Sequence, residues 1–444
     1  MTNIAARPES PRLPGPAGPD TLRLEIPALN KYLPLATGFA EHSARAFGLN
    51  SEEAVALSLA VEEIVAALTS MSLEVKLQAR NGQYYTELEL TIPYTELSLE
   101  KMNLTAAISD DADLDQMGWM LAARMVDGFA IEHVGQRSTI FRLRKSRSYA
   151  CESRLEPLPA GDKAVEIRLA EPAELVAFGH AFLQRGQPAL DDHLLQPPAR
   201  LADMIASGDY EAMLAFTEAG QSVAGVLVDR VRPSLAVIHG PYLLEQPPEV
   251  GQQLVQAVFE HLTRRRVEGV VAHCDQTTAL PEMSMQRLGQ RRLRLPDSEE
   301  GLDITTYFRH LSDDQGFLAW GTPWLNDFLR TEYRRLDLPR DIQNWRAPAG
   351  GLPKLPSLLS CDFRKQRAEC LIRPVLTGCD MEENLAAHLR LLDNEGYLNV
   401  LFELDLGQAA HLAFSEALHD NGFRPVYLLP SAGKGDLLVL EHAT

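Results

Sequence analysis

Cysteine is scarce in this chain of 444 residues: Cys151, Cys274, Cys361, Cys370 and Cys379, five in all, with no Cys-x-x-Cys pair. An odd, sparse set argues against a disulfide scaffold. With no signal peptide at its head, the chain reads as a cytoplasmic protein with reduced thiols. Cys361, Cys370 and Cys379 recur every nine residues. Structural zinc ligands come in closer pairs, and no His-Glu-x-x-His stretch exists, so the three are expected to be small buried residues. Basic residues are also in deficit, 42 Lys and Arg against 61 Asp and Glu, a formal charge of −19. Phosphates are met by clustered Lys and Arg, so neither duplex nucleic acid nor an anionic membrane is expected as the main partner. No uncharged run reaches the roughly 18 to 20 residues that span a bilayer.

What is present is an ordinary globular balance, 45% hydrophobic and 23% charged. The length suits about three domains of roughly 150 residues each. Residues 1–20, rich in Pro, Gly and Ala, read as a flexible tail. Apolar–polar alternation then predicts a strand over 22–27, and helical spacing predicts helices near 32–47 and 51–68. Two strands near 73–79 and 84–91 flank Asn81-Gly82, a hairpin signal in which both turn positions need φ > 0. A helix over 117–126 and strands over 129–133 and 138–144, turning at Gly135-Gln136, complete the first unit, 21–146.

Three stretches of this unit resemble the GHKL-type ATPase domain of bacterial anti-sigma factor serine kinases. They are the opening strand with Ile26-Pro27-Ala28, the helix Leu59-Ala60-Val61-Glu62-Glu63, and the Gly118-led helix through Asp127. The resemblance implies an α/β sandwich, a nucleotide site that includes Glu63 and Gly118, and a protein partner of the STAS or sigma-factor type. The departures argue against ATP and Mg²⁺. Ala67 replaces the metal-holding Asn, Gln116 replaces one glycine of the pair before the third helix, and Thr91-Ile92-Pro93-Tyr94-Thr95 lacks the Asp and Gly that read adenine. The domain is therefore expected to be degenerate, without kinase activity.

A linker by composition, 147–163, precedes a restart of the pattern. Strands are predicted over 165–169, 213–216, 223–228, 235–238, 269–273 and 307–311. Helices are predicted over 172–183, 251–265 and 281–288, the last ending at Gly289. Gln246-Pro247-Pro248-Glu249-Val250-Gly251, before the second of these helices, resembles the pyrophosphate loop of GNAT acyl-CoA N-acyltransferases. There, amides at a helix N-terminus receive the CoA phosphates. The resemblance implies a GNAT-like domain over 164–311, acetyl-CoA as cofactor, and Gln246, Val250, Gly251 and Gln252 as its loop contacts. Glu249 stands where the first Gly of the pattern belongs, and Met285 where the family's catalytic Tyr sits. General-base candidates are Glu218, His239 and Glu245, since amine acylation needs positioning and a base.

An echo follows. The strand at Gly269 recurs 130 residues later at Asn399, each strand preceded by an amphipathic helix and each ending in Asp. Residues 312–444 thus look like a second GNAT-like unit, without the Tyr (Leu418 is there) and with Asp380, Glu382 and Glu383 where CoA would bind. Trp320, Trp324 and Trp345 are expected in the aromatic core of this unit's first helices, the alternative being an exposed binding surface.

The fold class expected is α+β, a GHKL-type α/β sandwich followed by two GNAT-like mixed-sheet units. The function expected is a regulatory, protein-binding one with weak or absent catalysis. The alternative is an acyl-CoA-dependent N-acetyltransferase with a regulatory N-terminal domain.

Overall fold

The computed structural model describes residues 20–69, 73–93, 103, 114–134, 138–150, 164–185, 192–230, 234–275, 285–296, 298–348, 351–352 and 354–443. Residues 1–19 of the expected tail, the turn at Gly135-Gln136 and most of the 147–163 linker lie outside them.

The first unit is a five-stranded antiparallel sheet in the order β1-β2-β3-β5-β4. Its strands are β1 (Thr21–Pro27), β2 (Glu74–Asn81), β3 (Tyr85–Pro93), β4 (Gly128–Val134) and β5 (Ser138–Ser146). It packs with helices α1 (Leu33–Ala46), α2 (Ser51–Thr69) and α3 (Leu114–Met125). A reciprocal cap fixes the start of α2. Asn50 Oδ1 accepts the Glu53 amide at 2.9 Å, and Glu53 Oε2 accepts the Asn50 amide at 2.8 Å. Each satisfies a donor the helix leaves open. Leu57, Val61, Ile64 and Leu68 recur at helical spacing and form the buried stripe. The Asn81-Gly82 turn differs from expectation. The left-handed residue is Gln83, at φ 66, and Gly82 is needed for room, because a Cβ there would run into the Tyr85 ring.

The second unit is a seven-stranded sheet, β6-β7-β8-β9-β10-β12-β11. In chain order it runs β6 (Ala164–Leu169), α4 (Pro172–Gln184), α5 (Ala199–Ser207), β7 (Tyr210–Thr217), β8 (Ser222–Asp229), β9 (Leu235–Leu243), α6 (Pro248–Arg264), β10 (Gly269–Cys274), β11 (Gln286–Leu295) and β12 (Ser298–His310). Among the described residues of this sheet only β9 and β10 pair in parallel, and α6 is the crossover between them. Two expectations are corrected. Residues 286–288, assigned to a helix ending at Gly289, open strand β11; 281–284 lie outside the described residues. The stretch pairs with β12 in an antiparallel ladder with a register shift between Arg287 and Gly289, and buries Leu288, Arg291 and Leu293; the two-residue step from Arg291 to Leu293 is that of a strand. Met285 is therefore not on a helix. Helix α6 starts at Pro248 and not at Gly251, since Pro is suited to a first turn. Helix α5 had no sequence expectation.

The third part opens with two parallel strands, β13 (Phe317–Gly321) and β14 (Arg340–Asn344), joined by α7 (Asn326–Arg335). Trp320 thus lies on a strand, and its amide donates to Leu406 O at 2.8 Å. Trp324 meets the His419 ring edge-on at 5.1 Å. Then come β15 (Leu358–Arg364), β16 (Glu369–Leu376), α8 (Met381–Asn394), β17 (Asn399–Asp405), α9 (Ser415–Asp420), β18 (Phe423–Leu429) and β19 (Leu437–His442), in the sheet order β15-β16-β17-β19-β18. This repeats the β8-β9-β10-β12-β11 part of the second sheet, with β16 and β17 as its parallel pair. Cys361 and Cys370 are buried on β15 and β16, but Cys379 is exposed, contrary to expectation.

The units are stitched together. Tyr85 Oη donates to Asp209 Oδ2 at 2.9 Å, tying the first unit to the second, and Tyr149 Oη of the linker donates to Asp203 Oδ2 at 2.6 Å. Glu369, wholly buried, takes Arg291 from β11 and Arg364 from β15, joining the second unit to the third. Strand β4, the edge of the first sheet, lies against β15, the edge of the third, and Ile131 N–H donates to Ser360 Oγ at 3.2 Å.

Candidate active site: the fork between β9 and β10

Strands β9 and β10 pair over only four residues each, Leu235 to Ile238 with Gly269 to Ala272. Beyond Ile238 the ladder stops while both strands continue, so the two strands fork there. Between the pairs Gly225–Tyr242 and Leu227–His239, β9 holds one residue more than β8, a bulge at Gly240-Pro241. Gly240 has φ +101, and a Cβ there would come within 2.9 Å of the Tyr242 amide nitrogen, so only glycine serves. A crevice at the carboxyl ends of strands, beside a crossover helix, is where open α/β sheets receive ligands.

The loop from Leu244 to Pro247 carries the chain from β9 into α6. This helix is seventeen residues long, capped by Pro247 with no side-chain cap. Its N-terminus favours an anion through the dipole, yet its donors are few. Pro247 and Pro248 have no amide hydrogen, and the Val250 amide is used on Pro247 O at 3.0 Å. Glu249 therefore supplies the first turn's remaining amide, and its side chain is exposed. Val250 and Gly251 are buried in the same turns, whereas Gln252 faces solvent and Gln246 is half-buried. A Cβ on Gly251 would stand 3.1 Å from Pro241 Cγ and 3.5 Å from Leu243 Cδ2, so this glycine lets α6 sit close on β9.

Of the base candidates, His239 alone stands at the fork, half-buried and one residue past the last parallel pair. Glu218 is exposed in the turn between β7 and β8. Glu245 is in the loop, with φ 52, and its Oε1 pairs with Arg185 Nη1 at 2.6 Å. Arg185 was missed by sequence reasoning. It caps α4, whose Phe182 packs edge-on to Tyr242 of β9 at 5.1 Å. A lone Arg at a helix C-terminus carries no signal beyond its fit to the dipole.

In the first unit, Glu63 is half-buried on α2 and Gly118 lies on α3, the helix packed beside it. Burial, then the neighbouring Glu62, raises the Glu63 carboxyl above its usual range. Ala67, where a metal ligand would be needed, is a buried apolar residue. Among the described residues no group of three or more His, Cys, Asp and Glu could hold a metal, and no helix is long and apolar enough to cross a membrane. A separate cleft of about 690 Å³ borders α7 and β14, with Asp314, Tyr333, Arg334 and Arg340 in its wall. Arg340 there is already engaged by Asp314 at 2.8 Å and Asp436 at 2.6 Å.

No family model and no curated protein matches the chain. About a third of it is similar in structure to GNAT-type acetyltransferases. A ribosomal-protein-alanine N-acetyltransferase of Brucella melitensis is 16% identical, with 33% of this chain and 99% of that one covered and a TM-score of 0.29. A phosphinothricin acetyltransferase of Sinorhizobium meliloti, solved with AcCoA, is 16% identical, covering 34% and 90%, with a TM-score of 0.29. A ribosomal L7/L12 α-N-protein acetyltransferase, solved with coenzyme A, is 18% identical, covering 34% and 97%, with a TM-score of 0.28.

Proposed function

We propose that the second unit is an acyl-CoA-dependent N-acyltransferase of the GNAT type, and that the first and third units frame and regulate it. The observation that carries this reading is the β9–β10 fork, with its bulge at Gly240-Pro241 and the N-terminus of α6 at its mouth. The thioester supplies an activated acyl carbon. The chain's own part is to place an amine beside it and to take up the proton the amine loses as the C–N bond forms and the C–S bond breaks. His239, at the fork, is the residue for that proton. Gln246, Glu249 N–H and the α6 dipole face the phosphates. Within this reading the first unit is a regulatory attachment without ATP chemistry, supported by the apolar, buried Ala67. A STAS-type or sigma-factor-like protein is the partner class its resemblance implies.

Calorimetry of the full chain with acetyl-CoA tests the proposal. Micromolar binding is expected, and Gly251→Trp, which has no room against Pro241, is expected to abolish it while circular dichroism shows an intact fold. Absence of binding to the unaltered chain overturns the reading.

A further inference from the structure

The weakest part of the fork as an anion receptor is its supply of donors, and the compensating cation comes from outside the loop. The Arg185 side chain is only 9% exposed, and neither its Nε nor its Nη1 makes a hydrogen bond among the described residues, so its contact with Glu245 is an ion pair without hydrogen-bond geometry. A guanidinium in that setting calls for an anion, because burying an uncompensated charge is costly. It meets one from the loop itself. The Glu245 carboxylate is 65% exposed, in contact with Arg185 on one side and water on the other.

We propose that Glu245 is a built-in competitor for the diphosphate of acyl-CoA, occupying Arg185 until the ligand displaces it. The inference rests on the acyl-CoA reading of the same site. Three observations converge on it. The first turn of α6 is short of amides because of Pro247 and Pro248, so an added cation is needed to hold a polyanion. Arg185 is brought to the loop by the packing of Phe182 on Tyr242. An ion pair with one well-solvated partner opens easily, since the exposed partner regains its water. A diphosphate offers Arg185 more charge and two acceptor oxygens in the fork geometry a guanidinium prefers. Displaced, Glu245 swings into solvent, and the site trades one anion for another without leaving Arg185 bare. The device sets a threshold: ligands without a phosphate charge strong enough to outbid a carboxylate gain little at this mouth.

The test is calorimetry of the full chain with coenzyme A and, separately, with inorganic pyrophosphate. Glu245→Gln alters an exposed side chain and leaves the fold in place. It is expected to tighten coenzyme A binding about fivefold, the scale of one partly solvated ion pair, and to tighten pyrophosphate binding in the same direction. Arg185→Gln is expected to weaken coenzyme A binding about tenfold or more. In the double variant the gain from Glu245→Gln disappears, an outcome that a merely structural pair would not produce. Melting curves confirm that each variant is folded. Equal affinity of the unaltered chain and Glu245→Gln overturns the competitor while leaving the acyl-CoA reading in place. Absence of binding in both overturns the two together.

Discussion

The second and third units share a strand order and a parallel pair, and they differ in what remains for a ligand. In each, four residues of one strand pair with four of the other before the ladder ends. At the second fork β9 carries the bulge at Gly240-Pro241, and Arg185 meets the exposed Glu245 carboxylate. In the third unit the end of β17 and the start of α8 are held by hydrogen bonds within the fold. Asp405, at the end of β17, accepts the amides of Gly407 at 3.0 Å, Lys434 at 2.8 Å and Gly435 at 3.1 Å. The start of α8 is closed likewise. Asp380 Oδ1 accepts the Ser357 amide at 2.5 Å, and Asn384 Nδ2 donates to Ser357 O at 3.1 Å. Asn103, from the first part of the chain, donates to Ser357 O at 2.7 Å and accepts from Leu359 N at 3.2 Å. A Cβ on Gly378 would collide with the Leu355 carbonyl, so the approach to α8 is filled by backbone. A shared topology therefore does not make a shared site. Readiness for a ligand depends on which hydrogen-bonding groups the fold has left unused.

The contrast breaks first at Glu369. Glu369→Ala leaves Arg291 buried and uncompensated, and is expected to cost about 3–5 kcal/mol in chemical denaturation. Burial opposes ionisation of Glu369, and Arg291 and Arg364 outweigh it, holding its pKa below 4.5. A depressed carboxylate stabilises the fold above its unfolded value and loses that contribution as pH falls through the folded one. Loss of this term is thus expected below about pH 4.5, and Glu369→Ala should flatten the acid limb of the stability profile. An unchanged acid limb would show that the junction contributes nothing. Asn103→Ala comes next, at about 2–3 kcal/mol, because it strands the Leu359 amide in the interior. A lower melting temperature with unchanged acetyl-CoA affinity is expected; a new ligand site in the third unit would contradict the sealed reading. The smallest perturbation is a thiol reagent on the native chain. A hydrogen bond from Cys370, against burial and with His388, lowers the Cys361 thiol pKa, but at 1% exposure access outweighs acidity. Cys379 is expected to label fast, while Cys361 and Cys370 stay silent until denaturant is added.

Much of this arrangement was legible in the residues, and the limits have physical causes. The echo between Gly269 and Asn399 was visible because buried parallel strands read as apolar runs beside an amphipathic helix. β15 and β16 were harder. Cys361, Arg364 and Glu369 interrupt their alternation, and the charges make sense only once Arg291 arrives from β11. β11 was misread because Arg291 and Leu293, which fix its two-residue period, lie beyond the assigned helix. At the fork, Gln246 and Gly251 were local signals and Arg185 was not, since its meeting with Glu245 depends on how α4 lies against β9. The separation of Glu218 from His239 likewise follows from the register of β7, β8 and β9.

The meeting of β4 with β15 has a consequence for how this protein can be handled. Each is the outermost strand of its sheet, and an uncovered outermost strand presents unpaired backbone groups to any other chain. Here the first and last sheets shield one another. A shortened chain that ends before the third unit would bare the rim at Ile131 and part of the core the two units share, and two such fragments could add strand to strand. The acidic surface that keeps molecules apart would then work against an adhesive edge. Fragments made to study one unit at a time are best cut so that this pair of rims stays together.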